Sequence, residues 1–391
     1  DGCTYGYKNT PVTITRDRIM SLNASVLSAG ASLNLLLNGW EAQSAGKLTA
    51  SWMLHGRPGV GKSQVVQQLA DQIGAQLFDV RLTTIEPQDL RGLPYYDHEL
   101  KKTVWYRPED LPDDPTSPSI LFLDELTAAS PHLQPTVYGL LQERRVGLHR
   151  LPDSVMIVAA GNTVEDGAIA FEMGTALSDR LIHIHMKADA QDWLEHYAGP
   201  KGLAPAVTAF LRGRPDLLDT TEDALRRGDV IACTPRAWER ASAILRAIPD
   251  RKSRQAMIAG TLGDAVASEF SVVADEIDAS THIDDLLDAS EKERFSIFPN
   301  TLHGMNAVVF GLIGAATPKT LSAVITTMEQ IGRIPKHNTD PAFTRLPLTE
   351  LSGFGFEMLL TKALKEGWQD MFVQSPAYAK YVAARKDLGL D

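Results

Sequence analysis

Cysteine is scarce in this chain, which has only Cys3 and Cys233 among its 391 residues. Two cysteines are too few for the disulfide framework on which small secreted domains depend. We therefore expect a fold stabilised by its hydrophobic core, in a reducing compartment such as the cytoplasm. Cys233 is expected to be a packing residue rather than a reactive thiol.

Long hydrophobic runs and net positive charge are also lacking. The most apolar stretch, from Ala307 to Ala316, is about half of the roughly 20 residues that a membrane-spanning helix needs. The formal net charge of -11 gives no general attraction to polyphosphate backbones. We therefore expect protein partners, with nucleic acid disfavoured and no membrane association.

The middle of the chain alternates between β-rich and helical runs. Short β-rich runs lie at 50–55, 76–82, 120–123 and 155–160, and helical patterns lie at 63–73 and 132–143. This alternation predicts an α/β domain at 49–187, with a parallel sheet flanked by helices. The run at 120–123 is apolar on both faces, as expected of a central strand.

The sequence patterns of the flanking regions predict helices. Residues 1–48 are predicted to be an N-terminal helical segment, with a repeat from Leu22 to Leu37 that ends near Asn38. The pattern after 188 predicts an all-α lid domain at 188–270 and a helical extension of unknown role at 271–391. Within the lid, Thr234-Pro235 has the residue types of a helix start, and the helical pattern that follows stops at Pro249.

The segment from Gly56 to Ser63 carries a complete G-x-x-x-x-G-K-[ST] phosphate-loop pattern between a predicted strand and a predicted helix. Glycines at these positions let backbone N–H groups surround a phosphate, and the helix N-terminus adds partial positive charge. Lys62 is expected to reach the β- and γ-phosphates, and Ser63 to ligate Mg²⁺. The expected nucleotide-binding residues of this segment are Gly56, Pro58, Gly59, Val60, Gly61, Lys62, Ser63 and Gln64.

Asp124 and Glu125 follow the apolar strand at 120–123. A carboxylate at the end of a strand beside a phosphate loop is placed to hold Mg²⁺, and the next one to orient and deprotonate a water. We expect Asp124 to bind the metal and Glu125 to act on the water. The alternative is that the acidic pair merely begins the next helix.

The strand at 155–160 ends in Gly161-Asn162. An amide at the tip of the strand beside Asp124 can hydrogen-bond the γ-phosphate or the attacking water, so Asn162 is predicted to sense the bound nucleotide. The alternative is an ordinary turn asparagine.

The order of these motifs resembles that of the AAA+ ATPases. A Leu-Ser-Asp-Arg run ends at Arg180, and Thr-Pro-Arg ends at Arg236. Residues 89–106 resemble the hairpin inserted in the second helix of the MoxR branch, and residues 139–151 resemble the segment that leads into its next hairpin. The spacing from Asn162 to Arg180 also matches this branch. The resemblance covers roughly 40–250, and the sequence shows no von Willebrand-type metal motif.

The resemblance implies roles for two arginines. Arg180 would reach the γ-phosphate of a neighbouring subunit, and Arg236 would contact the nucleotide of its own subunit from the lid. Arg144 and Arg145 are alternatives to Arg180, and a surface salt bridge is the alternative for each assigned arginine. Action across a subunit boundary implies a homo-oligomeric ring, which the family suggests is hexameric.

Two further clusters carry no predicted chemistry. Tyr95, Tyr96, Trp105 and Tyr106 flank the candidate hairpin and are expected to hold it together rather than to grip a substrate. His183 and His185 alternate on a strand-like run with no third ligand nearby, so we do not expect a zinc site there.

The sequence as a whole predicts a Mg²⁺-dependent ATPase that couples hydrolysis to remodelling of a protein partner. The partner is a client or an adaptor protein, and a von Willebrand-type protein is one candidate. One alternative is a nucleotide-gated scaffold in which turnover is incidental. Another is the motor subunit of a DNA-restriction complex, which the acidic charge disfavours.

Overall fold

The structure is a computed structural model that describes residues 23–162, 178–280 and 282–387. Its main feature is a six-stranded parallel sheet with the strand order β1-β10-β2-β9-β6-β3. The strands are β1 (Val26–Leu27), β2 (Ser51–His55), β3 (Gln76–Arg81), β4 (Pro94–Asp97), β5 (Lys102–Trp105), β6 (Ser119–Asp124), β7 (Arg145–Val146), β8 (His149–Arg150), β9 (Val155–Gly161) and β10 (Leu181–Met186).

Helices pack on both faces of this sheet. They include α1 (Ala29–Ser44), α2 (Lys62–Ile73), α3 (Pro87–Arg91) and α4 (Gln134–Glu143). Strand β6 shows why two layers form, because its side chains alternate between two hydrophobic clusters. Leu121 and Leu123 pack into the cluster that contains α4, whereas Ile120 and Phe122 pack into the cluster that contains α1 and α2. The predicted α/β fold with a flanked parallel sheet is confirmed.

The predicted N-terminal helix needs correction at both ends. Val26 lies in strand β1, which pairs with β10, and α1 begins at Ala29 after the N-cap Ser28. The helix continues through Asn38 to Ser44 instead of ending near Asn38. Gly39 lies inside this helix, and its missing side chain leaves room for Trp52, since an added Cβ would lie 2.2 Å from Trp52 Cζ2. Leu22 lies outside the described residues.

Both hairpins expected from the resemblance are present. Strands β4 and β5 pair antiparallel, as do β7 and β8. The aromatic residues of the first hairpin contact one another and their neighbours, since Tyr95 stacks on Tyr106 at 4.4 Å between ring centroids and Arg91 lies over Trp105. Tyr96 and Tyr106 nonetheless remain 55% and 62% exposed, so packing uses only part of their surface.

The described part of the chain after β10 forms helices joined by loops and turns, with no further strand. Its helices are α5 (Ala190–Trp193), α6 (Pro205–Gly213), α7 (Thr221–Arg227), α8 (Pro235–Ala247), α9 (Arg251–Leu262), α10 (Asp264–Ser280), α11 (Ile283–Asp288), α12 (Glu291–Ile297), α13 (Leu302–Ala315), α14 (Leu321–Ile331), α15 (Ile334–His337), α16 (Leu348–Glu366), α17 (Gln369–Val373) and α18 (Pro376–Asp387). A π-helical turn, Leu194–Ala198, continues α5.

A single hydrophobic cluster connects most of these helices, with members from Trp193 to Phe372. Cys233 is one of its buried members, as the sequence suggested. The predicted boundary between lid and extension at 270–271 lies inside α10. The division into a lid and a separate extension therefore stays a prediction.

Candidate functional site

The strand order brings the predicted site residues to one edge of the sheet. Strand β9 lies between β2 and β6, and all three run parallel. Their carboxyl ends therefore face the same side, where ligands bind in open parallel sheets. Lys62 follows β2 through the phosphate loop, Asp124 ends β6, and Asn162 follows β9.

The phosphate loop has the backbone geometry that its glycines permit. Gly59 and Gly61 have φ angles of 85° and 105°, which are strained for residues with a side chain. Gly61 is the N-cap of α2 and brings no side chain to the start of the helix. The first-turn amides of α2 therefore need an outside acceptor, which suits an anion such as phosphate.

Lys62 holds the loop together and reaches across to β9. Its Nζ donates to the carbonyl oxygens of Gly56 and Arg57 at 2.5 and 3.1 Å, and to Asn162 Oδ1 at 2.9 Å. The ammonium group thus lies between the loop and the tip of the neighbouring strand. Asn162 is fixed in turn by its backbone N–H, which donates to Thr127 Oγ1 at 3.0 Å.

Ser63 and Asp124 meet where a metal ion is expected. Ser63 Oγ donates to Asp124 Oδ2 at 3.3 Å, and the Asp124 side chain is largely buried. Within the described ranges, no group of three His, Cys, Asp or Glu side chains is arranged to hold a metal. This pair nevertheless fits Mg²⁺, which commonly takes one or two protein ligands and completes its shell with water and phosphate oxygens.

Glu125 occupies an unusual backbone position and has partners on β3 and just beyond it. Its φ and ψ of 60° and 33° lie in the left-handed region, and its N–H donates to Asp124 Oδ1 at 2.8 Å. Thr83 Oγ1 donates to Glu125 Oε2, and Arg81 Nε lies 3.8 Å from Oε1. The carboxylate does not cap the short 3-10 helix that it precedes, which argues against the helix-start alternative.

A cavity of about 1000 Å³ opens over this edge of the sheet. That volume lies at the upper end of the range for small-molecule sites. The predicted residues that line it are Pro58, Gly59, Val60, Gly61, Lys62, Ser63, Gln64, Asp124, Glu125, Asn162 and Arg236. Gly56 and Arg180 are described but are not part of the lining.

Arg236 reaches the cavity from the start of α8. Thr234 is the N-cap of this helix, and its Oγ1 accepts from the Ala237 N–H at 3.1 Å. The same threonine abuts the phosphate loop, since a Cβ added at Gly59 would lie 3.1 Å from Thr234 Oγ1. The predicted helix start is confirmed, and it carries an exposed arginine beside the loop.

Arg180 lies immediately before β10, in an exposed turn outside the cavity lining. A histidine pair connects this turn to the strand that enters the phosphate loop. His183 Nε2 lies 2.9 Å from Ser178 O, and His183 Nδ1 lies 2.7 Å from His55 Nε2. Because a carbonyl only accepts, neutral His183 carries its proton on Nε2, and His55 Nε2 donates to His183 Nδ1.

The two alternatives to Arg180 have different surroundings. Arg144 is buried, and its Nη2 donates to the carbonyl oxygens of Pro152 and Val155 at 2.9 and 2.5 Å. Burial lowers the pKa of this guanidinium. Arg144 therefore holds its own hairpin and is not presented to another subunit, whereas Arg145 is exposed and pairs with Glu143 at 2.6 Å.

Sequence reasoning missed a second group of cavity residues. Asp192 Oδ2 accepts from the Gly30 N–H at 2.9 Å and so ties α5 to the start of α1. Tyr197 and Glu239 also line the cavity and share Lys201, whose Nζ donates to the Tyr197 hydroxyl at 2.7 Å and to Glu239 Oε1 at 2.5 Å. The local sequence signals near this group are the N-cap residues Ser28 of α1 and Asp189 of α5.

None of the helices in the described ranges is long and apolar enough to cross a membrane.

Comparisons with known proteins agree with this geometry. Residues 51–181 match the family model of the AAA domain (dynein-related subfamily). The chain is 34% identical over 115 residues to ATPase family gene 2 protein homolog B of Mus musculus, covering 29% of this chain and 13% of that protein. It is 30% identical over 118 residues to Uncharacterized protein YeaC of Bacillus subtilis (strain 168), covering 29% of this chain and 35% of that protein.

The matched region thus spans well under two thirds of these curated relatives. A solved structure of the Thermotoga maritima RuvB Holliday junction branch migration motor aligns with 86% of both chains, at 14% identity and a TM-score of 0.34. That likeness is too remote to carry an argument. The family match and the phosphate-loop sheet agree, and residues 51–181 form an AAA domain of the kind found in AAA+ ATPases.

Proposed function

We propose that this protein hydrolyses ATP with Mg²⁺ as a ring-forming member of the MoxR-like branch, and uses the hydrolysis to remodel a protein partner. The observation that supports this best is the convergence of Lys62, Ser63, Asp124 and Asn162 at one end of a nucleotide-sized cavity. The MoxR-like assignment is supported by the two hairpins, at 94–105 and 145–150.

The phosphate loop binds the triphosphate through its amides and Lys62. The ammonium group already lies against backbone carbonyls and Asn162, so it is held where a phosphate chain enters the loop. Ser63 and Asp124 hold Mg²⁺, which neutralises phosphate charge during transfer. Asn162 stays within reach of Lys62 and orients the groups at the γ-phosphate end.

Glu125 is the general base in this proposal. Its carboxylate takes a proton from the attacking water, which needs an unprotonated oxygen directed at the cavity. In the structure one oxygen accepts from Thr83, and the other lies near Arg81. Each carboxylate oxygen has two acceptor lone pairs, so Glu125 can accept from the attacking water while it keeps the bond from Thr83.

The assembly is a homo-oligomer, expected to be a hexameric ring. Arg180 acts across the subunit boundary, which agrees with its exposed position outside its own cavity. Arg236 acts on the nucleotide of its own chain. The client is a protein, with a von Willebrand-type adaptor as one candidate, and the location is the cytoplasm.

A nucleotide-gated scaffold remains the rival function, and the contact between Thr83 and Glu125 favours it. If Thr83 keeps the Glu125 carboxylate turned away from the attacking water in the assembled protein, the protein would bind ATP without efficient turnover. A DNA motor is disfavoured by the net charge of -11.

Phosphate release in the presence of ATP and Mg²⁺ tests the proposal. Glu125→Gln keeps the size of the side chain but cannot accept a proton, so turnover should fall by roughly 100-fold or more while ATP still binds. Glu109→Gln, at an exposed position outside the cavity, is the matched control. Equal turnover by wild type and Glu125→Gln would favour the scaffold.

A further inference from the structure

The C-terminal helical region lines part of the same cavity as the phosphate loop. Thr361, Lys362, Leu364 and Lys365 of α16 line it together with Lys62 and Asp124. These residues lie within 271–391, a region whose role no sequence motif indicates. The rest of the proposed site uses residues of the AAA domain and of α8.

Helix α16 is held in this place by the turn that follows α5. A Cβ added at Gly199 would lie 2.5 Å from Met358 Cε, so the turn and α16 are in close contact. Gly202, at φ 65°, packs against α13, where an added Cβ would lie 3.3 Å from Gly314 Cα. The Lys362 ammonium donates to Ile313 O at 2.9 Å and joins α16 to the end of α13.

The same turn is attached to α8, which carries Arg236. Lys201 pairs with Glu239 at 2.5 Å, and Arg246 donates to the Gly202 carbonyl. Tyr197, which lines the cavity, accepts from Lys201. The turn therefore lies between α8 and α16, and α8 in turn abuts the phosphate loop through Thr234.

Three of the four residues on α16 form one exposed face. Thr361, Leu364 and Lys365 are spaced i, i+3 and i+4, which places them side by side on a helix. Leu364 is 60% exposed, and Thr361 and Lys365 are also exposed. Lys362 is different, because it is buried and its ammonium is already bonded to the end of α13.

We propose that this face of α16, which we call the α16 wall, contacts the base and ribose of the nucleotide in the same cavity. The proposal rests on the proposed function. The phosphate end of the cavity is formed by the loop, Lys62 and the N-terminus of α2, and contacts lead from this end through α8 and the turn to α16.

The chemistry of the wall suits a nucleoside. Leu364 offers an apolar surface to the face of a base. Lys365 donates to ribose or base acceptors. The Thr361 hydroxyl donates to Glu357 O at 2.9 Å and keeps its lone pairs to accept from a nucleoside donor.

Lys365 also has a purely structural alternative role, because a lysine in the last turn of a helix interacts favourably with the helix dipole. That role predicts a small change in stability and no response to nucleotide. It does not account for Leu364, an exposed apolar residue on the same face.

Thiol protection tests the wall directly. Cysteine is introduced by Lys365→Cys or Leu364→Cys in a Cys3→Ser background, and the rate of maleimide labelling is measured. Lys380→Cys, at an exposed position on α18 outside the cavity, is the control. The remaining Cys233 is buried, and burial raises the pKa of its thiol to about 11, so it reacts slowly at neutral pH.

ATP at about 100 times its dissociation constant should slow labelling at 365 and 364 at least tenfold, because few sites are then empty. Labelling at 380 should not change. Tripolyphosphate, at a concentration shown to displace ATP, should leave 365 and 364 reactive. Equal protection by tripolyphosphate would mean that the wall contacts the phosphates, and this would overturn the proposal. An absence of protection by ATP would also overturn it.

Affinity provides a second measurement. Leu364→Ser should weaken ATP binding about tenfold and leave tripolyphosphate binding unchanged. The control is Leu225→Ser, at an apolar position on α7 that is exposed to a similar degree, and it should change neither affinity. Unaltered ATP affinity in Leu364→Ser would contradict the wall. If wild-type protein binds no ATP in calorimetry, the proposed function fails, and that result is distinct from binding without protection.

Discussion

The sheet edge and the helical region both line one cavity, but they do so in different ways. At the sheet edge, Asp124 ends β6, Asn162 follows β9 and Lys62 begins α2 after the phosphate loop. Hydrogen bonds of 2.9 and 3.3 Å join Lys62 to Asn162 and Ser63 to Asp124. In the helical region, Tyr197 and Lys365 come from two segments that pack together where Gly199 meets Met358. Strand ends lie at fixed places in a parallel sheet, so the residues at them form motifs that can be recognised in the sequence. The packing of helices produces no such motif.

The two regions also use charged groups differently. At the edge, Glu125 and Lys62 are only partly covered and face the cavity. In the helical region, Arg294 is buried and donates to Leu286 O at 2.6 Å and Leu287 O at 3.1 Å, which lie in the last turn of α11. Substitutions at the edge should therefore change turnover, and those at buried polar groups of the helices should change stability.

Among the variants that still bind ATP, Arg180→Ala should give the largest loss of turnover, roughly 1000-fold, as for other arginines that act in trans on a phosphoryl group. ATP affinity should change little, since Arg180 does not line its own cavity. Phosphate release is measured for the variant alone and mixed with Glu125→Gln.

Mixed rings contain interfaces built from an intact Glu125 and an intact Arg180, so some activity should return. Absence of recovery in demonstrably mixed rings would favour Arg145, because Arg144 is buried. A strictly linear loss when wild type is mixed with Arg180→Ala would count against coupled action in a ring.

A smaller effect is expected at His183. His183→Asn can keep an acceptor for His55 but loses the bond to Ser178, whereas His183→Gln can keep the bond to Ser178 and loses the one to His55. If the pair positions the turn that carries Arg180, both variants should lower kcat about tenfold, an effect of about 1.4 kcal/mol, at unchanged ATP affinity.

His185→Asn, two residues further on the same strand, is the control for His183. A fall in ATP affinity instead of kcat would show that the pair supports the phosphate loop and not the turn.

The smallest effect on activity is expected at Arg294. Arg294→Met leaves the carbonyls of Leu286 and Leu287 without their donor, and an unsatisfied buried acceptor costs about 1 to 3 kcal/mol. Denaturant unfolding should show this loss, with turnover per folded molecule unchanged. Arg345→Met, at an exposed position, is the control. A drop in turnover equal to that of an edge variant would remove the distinction between the two regions.

The sequence predicted much of the sheet edge, because its signals are local. The strands at 51–55, 119–124 and 155–161 lie within one residue of their predicted bounds. The start of α8 after Thr234 was also correct, since a capping threonine followed by proline is a short-range signal.

The errors and omissions have tertiary causes. The end of α1 was misplaced because Gly39 reads as a helix stop, whereas its missing side chain makes room for Trp52. The burial of Arg144 was not visible because its partners are the carbonyls of Pro152 and Val155, which the chain brings back through a hairpin. The contact between Thr83 and Glu125 depends on strand order, which a pattern of single strands does not give.

Calorimetric titration of ATP with Mg²⁺ into wild type and Lys62→Ala tests the central claim most directly. Lys62 is the cation held between the loop and Asn162, so its removal should abolish measurable ATP binding in a protein that remains folded. Lys47→Ala, at an exposed position outside the cavity, should bind like wild type. Unchanged ATP affinity in folded Lys62→Ala would contradict the account.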